Sequence, residues 1–303
     1  QQLGLDVGVS QRTSDYNISF TEPYFLGRRL SAGADLFRTE QDYQDEGSYD
    51  SETTGGRIRL GWNYTDDLSQ YARYTLRQDK ISNVDSLASV YIKEEAGSST
   101  ASSIGQTLVY DKRDSAINPK EGYYLSFGND VAGLGGDEKY LRFDGKVYTY
   151  YTLADYYTFK LFVNAGYIEG YGDENVRLSQ RYYLGGSTLR GFDTAGIGAR
   201  DKYTKDALGG NWMVYSGAEM SFPIGLDELG IKGRTFVDMG MLGKPDNIDR
   251  AIVDYSSNPR VAAGFGFTWQ SPMGQIDVDI AFPIVKEDYD ETQAFRLNFG
   301  SRL

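Results

Sequence analysis

Apolar and polar residues alternate along most of the chain, and the alternation is clearest near the C-terminus. Apolar side chains occupy every second position of residues 261–269, namely Val261, Ala263, Phe265, Phe267 and Trp269. Residues 275–282 repeat the pattern after a short turn at 271–274. Because successive side chains of a strand point to opposite faces, a period of two predicts strands with one apolar face and one small or polar face.

The same pattern predicts about 14 strands, each near the length of a tilted membrane-crossing strand. Their expected spans are 2–11, 15–22, 29–40, 54–65, 69–81, 103–111, 122–132, 138–153, 156–168, 211–222, 231–242, 259–270, 274–284 and 292–303. Short turns, as at 65–68, alternate with long polar connections at 41–53, 82–102, 169–210 and 243–258. Short turns at one end and long loops at the other are typical of outer-membrane barrels. We therefore predict an all-β chain that forms one antiparallel transmembrane β-barrel domain over residues 1–303.

A soluble β-sandwich or β-propeller is the alternative fold, and its polar face would meet water. Glycines and charges share the polar face of the predicted strands: Gly61, Gly217, Gly240, Gly264 and Gly266 with Arg59, Glu219 and Asp238. Such a mixture suits a crowded barrel lumen better than an open surface. Aromatic residues such as Trp62 and Trp269 also lie near short turns, as an interfacial girdle requires. Both observations favour the barrel.

Composition narrows the possible functions. The chain has 303 residues, no His and no Cys, which excludes histidine-dependent and thiol catalysis. Its net charge of −12 speaks against a nucleic-acid partner. Asp277 and Asp279 fall on one inward strand face, where carboxylates more often set lumen charge than serve as acid and base. No nucleotide, cofactor or metal motif is visible, so we expect a protein that is not an enzyme and needs no cofactor.

The longest segment without alternation, residues 169–210, contains Gly-Gly-Ser-Thr-Leu-Arg-Gly-Phe at 185–192. Loops of this length are usually either functional or disordered. Tyr182, Tyr183, Leu189 and Phe192 could pack the loop against another surface, which argues against disorder. The plain alternative is a glycine-rich surface loop whose one arginine, Arg190, is solvated.

Several stretches resemble the C-terminal barrel of the BamA family of outer-membrane insertases. They are residues 181–192, 208–211 and 236–240, together with 264–269, 271–274 and 282–284 in the last hairpin. The family's loop motif corresponds here to six residues: Gly185, Gly186, Leu189, Arg190, Gly191 and Phe192. The Arg-Gly-Phe core alone is shared by the wider superfamily of insertases and translocases. The resemblance covers nearly the whole chain.

This resemblance implies an outer-membrane protein of Gram-negative bacteria that helps β-barrel proteins fold and insert through a lateral seam. The implied partners are nascent outer-membrane β-barrel proteins, outer-membrane lipids and lipopolysaccharide, and accessory assembly lipoproteins that bind periplasmic POTRA domains. Family barrels have sixteen strands. By this comparison the chain starts at the third, and the POTRA domains and the first two strands are not part of it. A two-partner-secretion translocator and a diffusion porin are the alternative functions.

The resemblance also implies where the seam and the loop lie. The seam strand would be 294–303, which carries Phe295, Leu297 and Phe299 and has at Gly300 no side chain to pack across the seam. The loop would fold into the lumen with Arg190 against the barrel wall. Alternation places Phe236, Asp238 and Glu219 on the inward faces of their strands. We therefore predict that Arg190 pairs with Asp238 and Glu219.

Overall fold

The computed structural model contains a 14-stranded antiparallel sheet in which consecutive long strands are neighbours. It describes residues 1–10, 12–154, 156–226, 229–272 and 274–299. The sheet strands are β1 (Gln2–Val9), β2 (Thr13–Glu22), β3 (Leu30–Asp42), β4 (Asp50–Asn63), β5 (Leu68–Ser82), β6 (Gly97–Asp111), β7 (Gly122–Gly136), β8 (Tyr140–Leu153), β9 (Tyr157–Gly170), β13 (Trp212–Pro223), β14 (Ile231–Leu242), β16 (Arg260–Ser271), β17 (Gly274–Val285) and β19 (Phe295–Phe299). The predicted all-β architecture and the number of long strands are confirmed.

Shorter elements lie in the connections between these strands. They are the two-residue or three-residue strands β10 (Gly191–Phe192), β11 (Ala199–Asp201), β12 (Ala207–Gly209), β15 (Val253–Asp254) and β18 (Thr292–Gln293), the helices α1 (Gln44–Gly47) and α2 (Val90–Glu94), and the 3-10 turns Phe25–Gly27 and Leu178–Gln180. None of the helices in the described residues is long and apolar enough to cross a membrane.

Several strands extend further into their loops than the sequence pattern predicts. β6 begins at Gly97 rather than at residue 103, and β4 begins at Asp50 rather than at residue 54. The added residues of β6 include Ser98, Ser99 and Thr100, which have no apolar alternation to signal a strand. Backbone pairing with β5 nevertheless continues there, because a ladder needs only backbone partners.

The side chains of the sheet separate into an apolar outer face and a polar inner face. On β14, Val237 is 49% exposed, whereas its neighbours Phe236 and Asp238 are 3% and 2% exposed. The predicted inward direction of Phe236 and Asp238 is therefore confirmed. The outer face of a membrane barrel contacts lipid, so its outward-pointing side chains are expected to be apolar.

The connection between β9 and β13, residues 171–211, fills the interior. Gln180 bonds to Asp79 of β5, and the Tyr182 hydroxyl donates to Asp144 of β8 at 2.9 Å. The same connection also meets β14 and β16, so the sheet wraps around it. Its apolar residues build a core inside the barrel with side chains of the wall: Ala132, Tyr140, Ile168, Val176, Tyr182, Leu184, Leu189, Phe192, Ile197, Leu242 and Ala262.

The first and last strands of the sheet each have one neighbour among the described residues. β1 pairs with β2, and β19 pairs with β17 from Ile276↔Phe299 to Ile280↔Phe295. Phe295, Leu297 and Phe299 are outward and exposed, as expected for the predicted seam strand. Gly300, the fourth seam residue of the prediction, lies outside the described residues.

Candidate functional site

The loop motif turns sharply at its glycines. Gly185, Gly186 and Gly191 have φ angles of +135°, +61° and +90°, a region that residues with a side chain rarely adopt. A Cβ atom on Gly185 would also lie 1.9 Å from the carbonyl oxygen of Asp193. The Thr188 hydroxyl closes the turn by donating to the Gly185 carbonyl at 2.7 Å. Glycine is therefore required here by both backbone geometry and space.

Apolar side chains on either side of Arg190 anchor the motif to the lumen wall. Leu189 and Phe192 are fully buried. Leu189 fits against Gly240 of β14, where a Cβ atom would lie only 2.8 Å from its Cδ2 atom. Burying a leucine or phenylalanine side chain stabilises by about 1.5–3 kcal/mol. The motif is thus packed inside the barrel, and the alternative of a solvated surface loop is wrong.

Arg190 is the polar centre of the site. Its Nε and Nη2 atoms donate to the two carboxylate oxygens of Asp238 at 2.6 and 2.8 Å. Its Nη1 atom donates to Glu219 at 2.5 Å. The predicted contacts with both wall carboxylates are present, and the Asp238 contact has the two-pronged form that a guanidinium makes with a carboxylate.

Phe236 completes the surroundings of Arg190. The Cζ atom of the guanidinium lies 3.3 Å from the centre of the Phe236 ring. A cation over an aromatic face is attracted by the ring quadrupole, and the attraction is stronger away from water. Arg190 is only 3% exposed, so the ring also shields the ion pairs from solvent.

The ion cluster is larger than the sequence predicted. Arg234 of β14 donates to Asp279 of β17 at 2.7 Å, and its Nη2 atom lies 3.4 Å from Asp277. Its Nη1 atom lies 3.6 Å from Glu219, which links the two arginines through one carboxylate. Arg234 and Asp279 lie on the same wall, on either side of Gly266 in the register of β14, β16 and β17. Alternation showed that these side chains face inward, but it does not give the register between strands.

The carboxylates of this cluster stabilise the charged form of Arg190. Burial lowers the pKa of Arg190, but the hydrogen bonds and charges of Asp238 and Glu219 raise it above its ordinary value. Lys160 stands directly opposite Glu219 in the register of β9 and β13 and adds a further positive charge. Buried charges persist only when paired and hydrogen-bonded, and this cluster meets that condition for Arg190.

A cavity of about 500 Å³ lies beside the cluster. Its lining includes Lys160, Arg190, Glu219, Asp277 and Asn298. Asp277 is held by the Thr268 hydroxyl at 2.7 Å, and Asp279 by Arg234, so both carboxylates of the inward pair are engaged. The arrangement can fasten a loop to a wall.

Strands with an apolar outer face, a charged lumen and a loop packed inside that lumen define an outer-membrane β-barrel. The model of the Omp85 superfamily domain matches residues 1–303. The chain belongs to the Omp85 superfamily.

Named relatives and solved structures agree with this membership. The chain is 33% identical over 302 residues to the outer membrane protein assembly factor BamA of Neorickettsia risticii (strain Illinois), covering 99% of this chain and 40% of that protein. It superposes on the crystal structure of BamA from Haemophilus ducreyi lacking POTRA domains 1-3 with a TM-score of 0.85 at 24% identity, covering 97% of this chain and 63% of that one. For CdiB from Acinetobacter baumannii the TM-score is 0.59 at 15% identity, covering 95% and 50%. The chain spans 40% of the length of the BamA relative from Neorickettsia.

Proposed function

We propose that this barrel is the membrane domain of an assembly factor that helps β-barrel proteins fold into the bacterial outer membrane. The observation that carries the proposal is the attachment of Arg190 to Asp238 and Glu219, which fixes the family's loop motif inside the lumen. The kind of activity is taken from the BamA relatives, which are named outer membrane protein assembly factors. The activity needs no covalent chemistry, so we propose that the protein is not an enzyme.

We propose that the protein acts on its substrate at the edge of the sheet. An unpaired strand edge in hydrocarbon costs several kcal/mol for each orphan group, which is why membrane barrels normally close. Among the described residues, β19 pairs with β17 on one side, and its other edge has no neighbouring strand in the sheet. An incoming strand can pair with the exposed edge by strand addition.

The partners follow from this activity and are proposed with it. Nascent outer-membrane β-barrel proteins would be the substrates, and outer-membrane lipids and lipopolysaccharide would surround the exposed apolar face. Accessory assembly lipoproteins would act through periplasmic domains of the full-length protein. Folding of the substrate itself supplies the free energy, so no nucleotide is required.

The proposal can be tested with the full-length protein in lipid vesicles. An unfolded outer-membrane barrel protein is added, and its folding is followed by the change in gel mobility that folded barrels show without heating. We expect faster folding than in empty vesicles, and slower folding again with Arg190→Ala. Equal rates in vesicles with and without the protein would contradict the proposal.

A secretion translocator is the second candidate, since the Arg-Gly-Phe core at 190–192 resembles a motif shared by insertases and translocases. The same vesicles can separate the two candidates. A translocator would release its substrate into the vesicle interior as soluble protein, whereas an assembly factor would leave it in the membrane, resistant to carbonate extraction. A porin would instead give a steady ion conductance. The packed lumen of this barrel argues against that function.

A further inference from the structure

The residues that lead into the last strand pair with the loop motif instead of with the barrel wall. We call residues 286–294, between β17 and β19, the lead-in segment. Ala281 of β17 donates its backbone N–H to the Ala294 carbonyl at 2.9 Å. Immediately before Ala294, β18 pairs with β10 in the register Gly191↔Gln293 and Phe192↔Thr292. The chain therefore changes partner at Ala294, from the motif to the wall.

Further bonds continue this ladder along the lead-in segment. The backbone N–H of Asp193 donates to the Glu291 carbonyl at 3.0 Å, and the N–H of Glu291 donates to the Gly196 carbonyl at 2.9 Å. The Glu291 side chain accepts from Arg200 Nη1 at 3.0 Å. Arg200 is 3% exposed and also donates to the Ala195 carbonyl at 2.9 Å. A buried arginine of the loop thus holds a carboxylate of the lead-in segment.

Gly191 allows this close approach. A Cβ atom there would lie 2.9 Å from the Cβ atom of Ala262 on β16 and 3.4 Å from that of Ala281 on β17. The motif is therefore placed directly against the wall while it pairs with Gln293. Arg296 of β19, 3.8 Å from Asp193, adds a third link between the loop and the last strand.

A separate anchor holds the lead-in segment to the wall. Arg260 of β16 donates to the two carboxylate oxygens of Asp290 at 2.9 and 3.2 Å. Asp290 is thus tied to the barrel and Glu291 to the loop, at neighbouring positions. The two anchors can be loosened separately, which makes the contribution of the loop measurable.

We propose that Arg200 and Glu291 are positioning residues for the seam. Together with the ladder of β10 and β18, they hold the lead-in segment on the loop motif and set where β19 begins to pair with β17. This inference rests on the proposed function, because the start of β19 matters for activity only if the seam admits substrate strands. On this proposal, the loop motif and the seam strand move together.

The test is hydrogen–deuterium exchange of the full-length protein in vesicles, comparing Glu291→Gln with Glu287→Gln. Glu291 is half-exposed, so its substitution leaves the packed core intact. Glu287 lies in the same segment, but its side chain accepts a hydrogen bond at 2.9 Å from Asn258, which lies outside the loop. We expect exchange at the amides of residues 291–295 and Ala281 to rise about tenfold in Glu291→Gln, the size expected for losing one charged hydrogen bond. Glu287→Gln should leave it unchanged.

The outcomes separate this inference from the function on which it rests. Unchanged exchange in Glu291→Gln overturns the positioning role, whatever the assembly rate does. Equal increases in both variants overturn it as well, because the loop contact would then have no special part. Faster exchange confined to Glu291→Gln supports it. If assembly then continues at the rate of the unaltered protein, the positioning role stands and the proposed function of the seam is contradicted.

Discussion

Arg190 and Asp238 are 48 residues apart in the chain and share two hydrogen bonds, of 2.6 and 2.8 Å, inside the barrel. One residue belongs to the loop and the other to the wall strand β14. Because both oxygens of the carboxylate are engaged, the contact fixes the direction of the loop as well as its distance from the wall. Attachment of the motif thus depends on the shape of a guanidinium in addition to its charge.

Replacing Arg190 by lysine should loosen the loop although the charge is kept. An ammonium cannot reproduce two parallel hydrogen bonds to Asp238 while also reaching Glu219. We expect residues 185–200 to become more susceptible to protease added outside vesicles. Arg38→Lys is the control, because Arg38 pairs with Glu40 at an exposed position where ion pairs contribute little. Equal protease resistance of Arg190→Lys and the unaltered protein would contradict the prediction.

Gly185→Ala should destabilise the motif more than a glycine substitution in the wall. The new methyl group would meet the Asp193 carbonyl oxygen at 1.9 Å in a backbone conformation with φ of +135°. Gly145→Ala on β8 is the matched control, because a Cβ atom there meets nothing within 4 Å. We expect a lower thermal midpoint for Gly185→Ala and little change for Gly145→Ala. The temperature at which each barrel loses its folded gel mobility provides the measurement.

Alternation predicted the strands and the inward direction of Glu219, Phe236 and Asp238, because both follow from a local period of two. The resemblance supplied the lumenal position of the loop. Neither predicted that Arg234 bonds to Asp279, since this contact depends on the register of three strands, in which both residues lie beside Gly266. The pairing of β10 with β18 was also missed. Strands of two residues carry no periodicity.

Glu138, between β7 and β8, should make stability depend on pH. Burial raises its pKa above the ordinary value; the hydrogen bond from Ser99 opposes the rise and the charge of Asp79 adds to it. A raised folded pKa means that the folded state binds the proton more tightly. Stability therefore falls as pH increases from the unfolded pKa, about 4.3–4.5, through the folded one.

Glu138→Gln removes this titration and should be more stable than the unaltered protein at pH 7. The advantage should shrink as the pH is lowered toward 4.5, the ordinary value for glutamate. Thermal midpoints at several pH values provide the measurement, with the exposed Glu121→Gln as control. A constant difference across the range would show that Glu138 does not titrate in this window.

The packed lumen should conduct ions poorly. Single-channel recordings of the purified barrel should show a mainly closed state, because Leu189 and Phe192 are buried within the lumen. Asp238→Ala should increase the frequency of open events, since Arg190 then loses its main attachment. A large, steady conductance of the unaltered barrel would favour the porin alternative.

The rate of barrel assembly in a double-mutant cycle of Arg190 and Asp238 tests the central claim most directly. Removing one partner of a shielded pair leaves the other charge buried, at a cost of about 3–5 kcal/mol where water is absent and less where it enters. With full-length protein in vesicles, Arg190→Ala and Asp238→Ala should each slow assembly by about tenfold or more, and the double variant should be within about twofold of the slower single variant. The account is contradicted if the double variant shows the product of the two single losses in assembly rate. It is also contradicted if either single variant assembles at the unaltered rate.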